Sequence, residues 1–164
     1  MLSLDKIVFA LTFLSALGSG LIAGVFFIFS FAIMRALSRI TPFSGMWAMQ
    51  SINIYILNPV FLGVFLGTAI ICAGLAITAV VRWHLPGSGW LLAGTMIYIV
   101  GSIGVTMIFN VPMNNALMVA DPATPEGLEL WAKYLTDWTF WNHIRTFASI
   151  ASCASLIMAL VYGR

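Results

Sequence analysis

Residues 141–146 read Trp-Asn-His-Ile-Arg-Thr and open the last long apolar stretch of the chain. Asn142, His143 and Arg145 put three strongly hydrogen-bonding side chains within four residues. Together they offer an imidazole that exchanges a proton near neutral pH, and a carboxamide and a guanidinium that hold anions. Asn142 and Arg145 are three residues apart and share a helical face, with His143 about 100° further round. At a membrane boundary such groups have three readings: they snorkel to headgroups, stitch helices together, or form a site. Ionisable residues inside membrane segments default to function, which favours a site for the cluster as a whole.

The elements that must position this cluster follow from composition. The chain has 164 residues, 62% hydrophobic and 7% charged, with a mean hydropathy of +1.05. A soluble domain carries about a quarter charged residues, so the solvent of this chain is a bilayer. A net charge of +2 supplies no surface for nucleic acid. The apolar run after MLSLDKIV is too long for a signal-peptide core and is expected to be retained. Cys72 and Cys153 lie within apolar runs and read as small packing residues.

Four stretches are long enough to span: 7–34, 59–81, 90–111 and about 140–162. The first is uncharged for 28 residues and would reach roughly 42 Å, so it tilts or protrudes. RWHLPGSG, between the second and third, is a tight turn. Small residues at four-residue spacing (Gly20 and Gly24, Gly63 and Gly67, Ala148 and Ser152) are expected at close helix contacts, within one chain or between copies. The two longer links both begin Thr-Pro, which suits an N-cap followed by a first-turn proline. Each is expected to hold a short interfacial helix. In the second, Leu128, Trp131, Leu135 and Trp138 fall near one face, with Glu129 and Lys133 on another, and the tryptophans are expected at headgroup level.

An internal repeat organises these pieces. AGVFFIFSFAIMRAL at 23–37 aligns with IGVTMIFNVPMNNAL at 103–117, with six of fifteen positions identical. Trp47 and Asn58 then match Trp131 and Asn142. The expected fold is therefore an all-α, four-transmembrane-helix bundle, a single membrane domain over 1–164. Its two helical hairpins, about 1–83 and 84–164, form a parallel repeat. Ser30 corresponds to Asn110, Arg35 to Asn115 and Asn53 to Asp137. The symmetry breaks where Pro59 is replaced by His143 and Phe61 by Arg145. Both long links lie on one side, so Gln50, Asn53, Asn58, Asn110, Asn114 and Asp137 gather with the Asn142–Arg145 cluster. The other side holds little beyond Asp5, Lys6, Arg82, His84 and Arg164. Pro112 is expected to end or kink the third helix and aim Asn110 and Asn114 at the bundle mouth. Four basic residues on the link side against three on the other leave the orientation undecided.

GVFFIFSFAIM…AMQSIN, FNVPMNNAL and, above all, W…WNHIRT resemble the anthrone oxygenase family over most of the chain. These are small four-helix membrane proteins, many of them bacterial. The characterised members are fungal enzymes that oxidise an anthrone to an anthraquinone with dioxygen and no evident cofactor. The resemblance implies an oxygenase whose partners are an apolar aromatic, dioxygen and membrane lipid, in the cytoplasmic membrane if the source is bacterial. Such chemistry needs a base, an oxyanion stabiliser and a dry flat pocket. His143 is then the base, with Arg145, Asn142 and Asn110 on the developing oxyanion. Asn114, Asn58 and Asn53 join the pocket, and Trp138, Trp141 and Phe140 cover the rings.

Two other classes stay open. A haem with His143 as an axial ligand, or another hydrophobic ligand in the His143 pocket, would make the protein a binding protein; His84, on the opposite side, does not complete a haem-ligating pair within one chain. The third class is a non-catalytic assembly partner, with homo-oligomerisation as one form.

Overall fold

The computed structural model describes residues 4–163, so Arg164 lies outside the described residues. Five helices account for the architecture. α1 runs Leu4–Leu37, α2 Pro42–Tyr55, α3 Pro59–Val81, α4 Ser88–Val119 and α5 Pro125–Tyr162. All but α2 are long and apolar enough to cross a membrane. There is no strand among the described residues.

Local chemistry sets several ends. Thr41 and Thr124 cap α2 and α5 with their hydroxyls, each followed by a first-turn proline. Asn58 caps α3 by accepting from the Val60 and Phe61 amides. Gly87 takes the left-handed φ of +81° that begins α4, a conformation other residues rarely adopt.

Two helices differ from expectation. The fourth membrane helix does not begin near Phe140. It starts at Pro125, so the second link carries no separate interfacial helix: its helical turns are the first turns of α5. α4 does not stop at Pro112 either. Two π-helical segments, Ile97–Gly104 and Thr106–Asn110, precede the proline, and the helix continues to Val119. A π-turn shifts the hydrogen-bond register, which lets a chain pass a residue that cannot donate. α1 contains a third such segment at Phe29–Ile33.

Packing proceeds in tiers along the bundle. At the link end, Phe29, Met34, Leu37, Met46, Met49, Leu117, Trp131, Tyr134 and Trp138 form one core. Gln50 of α2 ties this tier together by donating to the Leu117 and Ala120 carbonyls at 2.8 and 2.9 Å. The middle tier packs Ile22, Phe26, Phe65, Cys72 and Tyr98. The far tier packs Leu75, Ala79, Leu91 and Leu156, beside the Asp5–Arg82 ion pair at 2.6 Å.

Hydroxyls on the inner face of α5 meet hydroxyls of the other helices. Thr146 meets Ser30, Ser149 meets Ser102, and Ser152 meets Ser19 while donating to the Gly94 carbonyl. Such contacts satisfy polar groups without water and draw helices close. A Cβ at Gly101 would come within 2.5 Å of the Ala148 Cβ. Ala148 and Ser152 thus mark close contacts, as expected. Gly24, Gly63 and Gly67 do not: a Cβ there meets nothing within 4 Å, so they face outward.

Candidate functional site

Asn142 sits in the body of α5 and is fully buried. Its amide donates to the Phe26 carbonyl at 2.8 Å and to the Ser30 hydroxyl at 2.7 Å. Both acceptors lie on α1, at and just before its π-turn. The Asn142 carbonyl oxygen accepts from Arg145 at 2.6 Å. Asn142 therefore joins α1 to the guanidinium one turn below it, as the i,i+3 spacing requires.

Arg145 does not snorkel. Its side chain is 5% exposed and points into the bundle, where a second nitrogen donates to the Thr106 hydroxyl of α4 at 3.2 Å. Aromatic faces close over it: Cζ lies 4.2 Å from the Phe26 ring centre and 5.1 Å from that of Trp138. Among the described residues it forms no ion pair. Placing an arginine at the centre of a membrane helix costs about 3 kcal/mol on insertion scales. Here neutral acceptors and aromatic faces, not a counter-charge, offset that cost.

Above Arg145, α5 stacks three buried rings. Trp131 to Tyr134 and Tyr134 to Trp138 are each 5.7 Å between centres and near parallel. One acceptor organises the lower pair: Asn114 Oδ1 takes the Tyr134 hydroxyl at 2.8 Å and the Trp138 indole N–H at 2.7 Å. Trp131 and Trp138 are thus core residues, 2% and 4% exposed, and not the headgroup anchors expected of them. α2 covers the face that the pattern left open to lipid.

The remaining candidates divide. Asn110 is fully buried and donates to the Trp138 carbonyl at 3.2 Å. Asn53 is buried beside the Tyr134 phenol. These two, with Asn114, Trp138, Asn142 and Arg145, form one neighbourhood. Asn58 stands apart, exposed, its side chain engaged with the first turn of α3 and the Tyr55 carbonyl. Trp141 stacks on Phe109 at 3.5 Å, and the exposed Phe140 meets its edge; the rings over the Arg145 guanidinium are those of Phe26 and Trp138 instead. His143 is two residues from Arg145, some 200° round the helix. It packs against the Phe31 ring of α1 at 5.2 Å, so the imidazole and the guanidinium address different sides of α5. His84 is in the turn after α3, at the opposite end.

Buried polar atoms without a hydrogen-bond partner gather here. They are Asn53 Nδ2, Asn110 Oδ1, Thr139 Oγ1, His143 Nδ1 and Arg145 Nε; the sixth, Ser15 Oγ, is lower on α1. Native proteins satisfy nearly all such groups, so each unmet atom is a candidate partner for a polar ligand atom. Ser30, Thr106, Thr139 and Tyr134 were not singled out from the sequence. Lone hydroxyls are common in membrane helices, and only the Ser30–Asn110 correspondence hinted at the first.

A family model described as anthrone oxygenase matches residues 60–155, more than half of the chain. The chain belongs to the anthrone oxygenase family. The matched segment carries Thr106, Asn110, Asn114, Trp138, Asn142, His143 and Arg145 on α4 and α5. The α1 and α2 contributions, Phe26, Ser30, Phe31 and Asn53, lie outside it. None of the curated proteins and none of the solved structures matches the chain. For this member of the anthrone oxygenase family, four apolar helices of spanning length mark an integral membrane protein.

Proposed function

We propose that the protein is a cofactor-independent oxygenase that oxidises an apolar, electron-rich aromatic of the anthrone type with dioxygen. The observation that carries this reading is Arg145, a guanidinium buried among aromatic rings that forms no ion pair among the described residues. A fixed positive charge in a medium of low dielectric favours an anion far more than it would in water. The family membership agrees with this chemistry.

An anthrone carries an acidic methylene between two aryl rings. His143, whose Nδ1 has no partner, takes one of its protons. The resulting anion passes one electron to dioxygen, and the two radicals combine to a peroxide at that carbon. Breaking the O–O bond then leaves a ketone. One oxygen atom stays in the quinone and the other departs as water with the two methylene hydrogens, so no external reductant is needed. Arg145 and its partner Asn142 stabilise the negative charge by their field. In a bacterium the setting would be the cytoplasmic membrane.

The test is oxygen uptake by the purified protein in mild detergent with a model anthrone, followed together with quinone absorbance. Uptake above the spontaneous rate, lost in His143→Ala, is the expected result. No uptake above that rate would overturn the reading. So would a Soret band at stoichiometric haem, which would recast His143 as an axial ligand.

A further inference from the structure

We propose that the substrate binds in a lipid-facing groove between α1 and α5, and that Phe31 is the positioning residue at its head; this rests on the oxygenase reading above. A recess of about 400 Å³ opens between the two helices, within the range of small-molecule pockets. Gly20, Gly24 and Phe27 form one wall, and Ile150, Ala154 and Ile157 the other. Ala23 and Cys153 complete a lining that is almost wholly apolar, so entry needs no passage through water.

The lining of the groove ends at Phe27 and Ile150, and Phe31 and His143 continue the same seam about one turn and two turns further toward the link end. On α5, His143, Ile150, Ala154 and Ile157 follow the three-and-four spacing of one helical face, and Gly20, Gly24, Phe27 and Phe31 do so on α1. The helices are antiparallel, so the seam closes with Phe27 against Phe31 at 4.7 Å and Phe31 against His143 at 5.2 Å. The Nδ1 of that imidazole is buried and has no hydrogen-bond partner.

A second observation concerns Phe31 itself. It lies within the π-helical segment Phe29–Ile33, where the local register is already altered, and such turns recur at functional sites. The ring is half exposed, so a rotamer change moves it without disturbing the core. Phe31 thus covers the imidazole when the groove is empty and stacks on the substrate when it is full. The occupant is a flat, uncharged polycyclic ketone that dissolves in the bilayer: the walls offer apolar surface, an aromatic face and one thiol, and the unmet His143 Nδ1 is at the head.

Photolabelling tests this apart from turnover. Benzophenone, an apolar diaryl ketone, is irradiated with the full-length protein in lipid nanodiscs, and the labelled peptides are mapped. Labels are expected on residues 24–31 and 143–157, suppressed by anthrone. Gly24→Leu and Ala154→Leu should each lower them several-fold; both positions face outward, and a Cβ at Gly24 meets nothing within 4 Å. Labels spread over all lipid-facing helices, competition by added phospholipid but not by anthrone, or links between two copies through this seam would each overturn the proposal. So would undiminished oxygen uptake in both groove variants, which would leave the oxygenase reading standing. Labelling that behaves as expected in a protein with no oxygen uptake would support the groove and sink the oxygenase.

Discussion

Asn142 and Arg145 act as one unit: the carboxamide that accepts from the guanidinium at 2.6 Å also holds α1 through Phe26 and Ser30. A single side chain thus fixes both the position of a buried cation and the packing of the helix that bears Phe31. The charge itself and the hydrogen bonds that seat it can be separated by mutation.

Arg145→Met should leave the fold intact. Replacing a buried charge by an apolar group of similar volume is often neutral or stabilising, here offset by about 1 kcal/mol for the unpaired Asn142 oxygen. Oxygen uptake with anthrone should fall by about 100-fold or more, the scale of losing one preorganised anion-stabilising group. Arg145→Lys keeps the charge without the planar fork and should fall between. Wild-type turnover in Arg145→Met would show that the charge serves packing alone.

Asn142→Leu should be the more damaging change. It removes both ties to α1 and leaves the guanidinium with Thr106 as its remaining partner, a loss of about 3 kcal/mol or more. Combining it with Arg145→Met should recover part of that loss, because the stranded charge is gone. Thermal unfolding of the four proteins in one detergent measures the coupling, and strict additivity would contradict the unit described here.

Trp131 and Trp47, which align with each other in the sequence, have different surroundings, 2% and 65% exposed. Trp131→Ala should destabilise by about 3–5 kcal/mol, as for other buried aromatics. Trp47→Ala should change stability by no more than about 0.5 kcal/mol. Equal effects would mean that the link-end core is not packed as described.

Gln50→Leu should free the end of α4. The Leu117 and Ala120 carbonyls lose their shared donor, at about 1–2 kcal/mol. Hydrogen exchange should speed up at the amides of Ala120, Asp121, Ala123 and Thr124, while amides in the middle of α3 keep their protection. Unchanged exchange would show that α2 is held by its apolar face instead.

Much of the frame was legible from local signals. The bounds of α3 coincide with the expected span because Asn58-Pro59 and Val81-Arg82 mark its ends in the residues themselves. The start of α5 was marked just as locally, by Thr124-Pro125. It was missed because tryptophans at that spacing describe a membrane-surface helix equally well until α2 is known to cover them. The π-turns were legible only in part: Pro112 signalled a disturbance of α4, but no motif marked the register change before it or the one at Phe29–Ile33. Within the site, the Asn142–Arg145 pair followed from spacing alone. The separation of His143 from Arg145 was implicit in the same helical geometry, but which helix stands on each side is a tertiary fact.

α5 is an uninterrupted α-helix of 38 residues, about 57 Å long against a hydrocarbon core of about 30 Å. It behaves as a shaft without a joint. Trp131, His143, Arg145 and Ser152 are all keyed to it, so a twist applied outside the bilayer reaches the imidazole and the guanidinium together. α1 and α4, with their π-turns, are the parts that give. Motion that admits or releases a ligand would then belong to the partners of α5, turning about a rigid axle that keeps the reactive groups in fixed phase with one another.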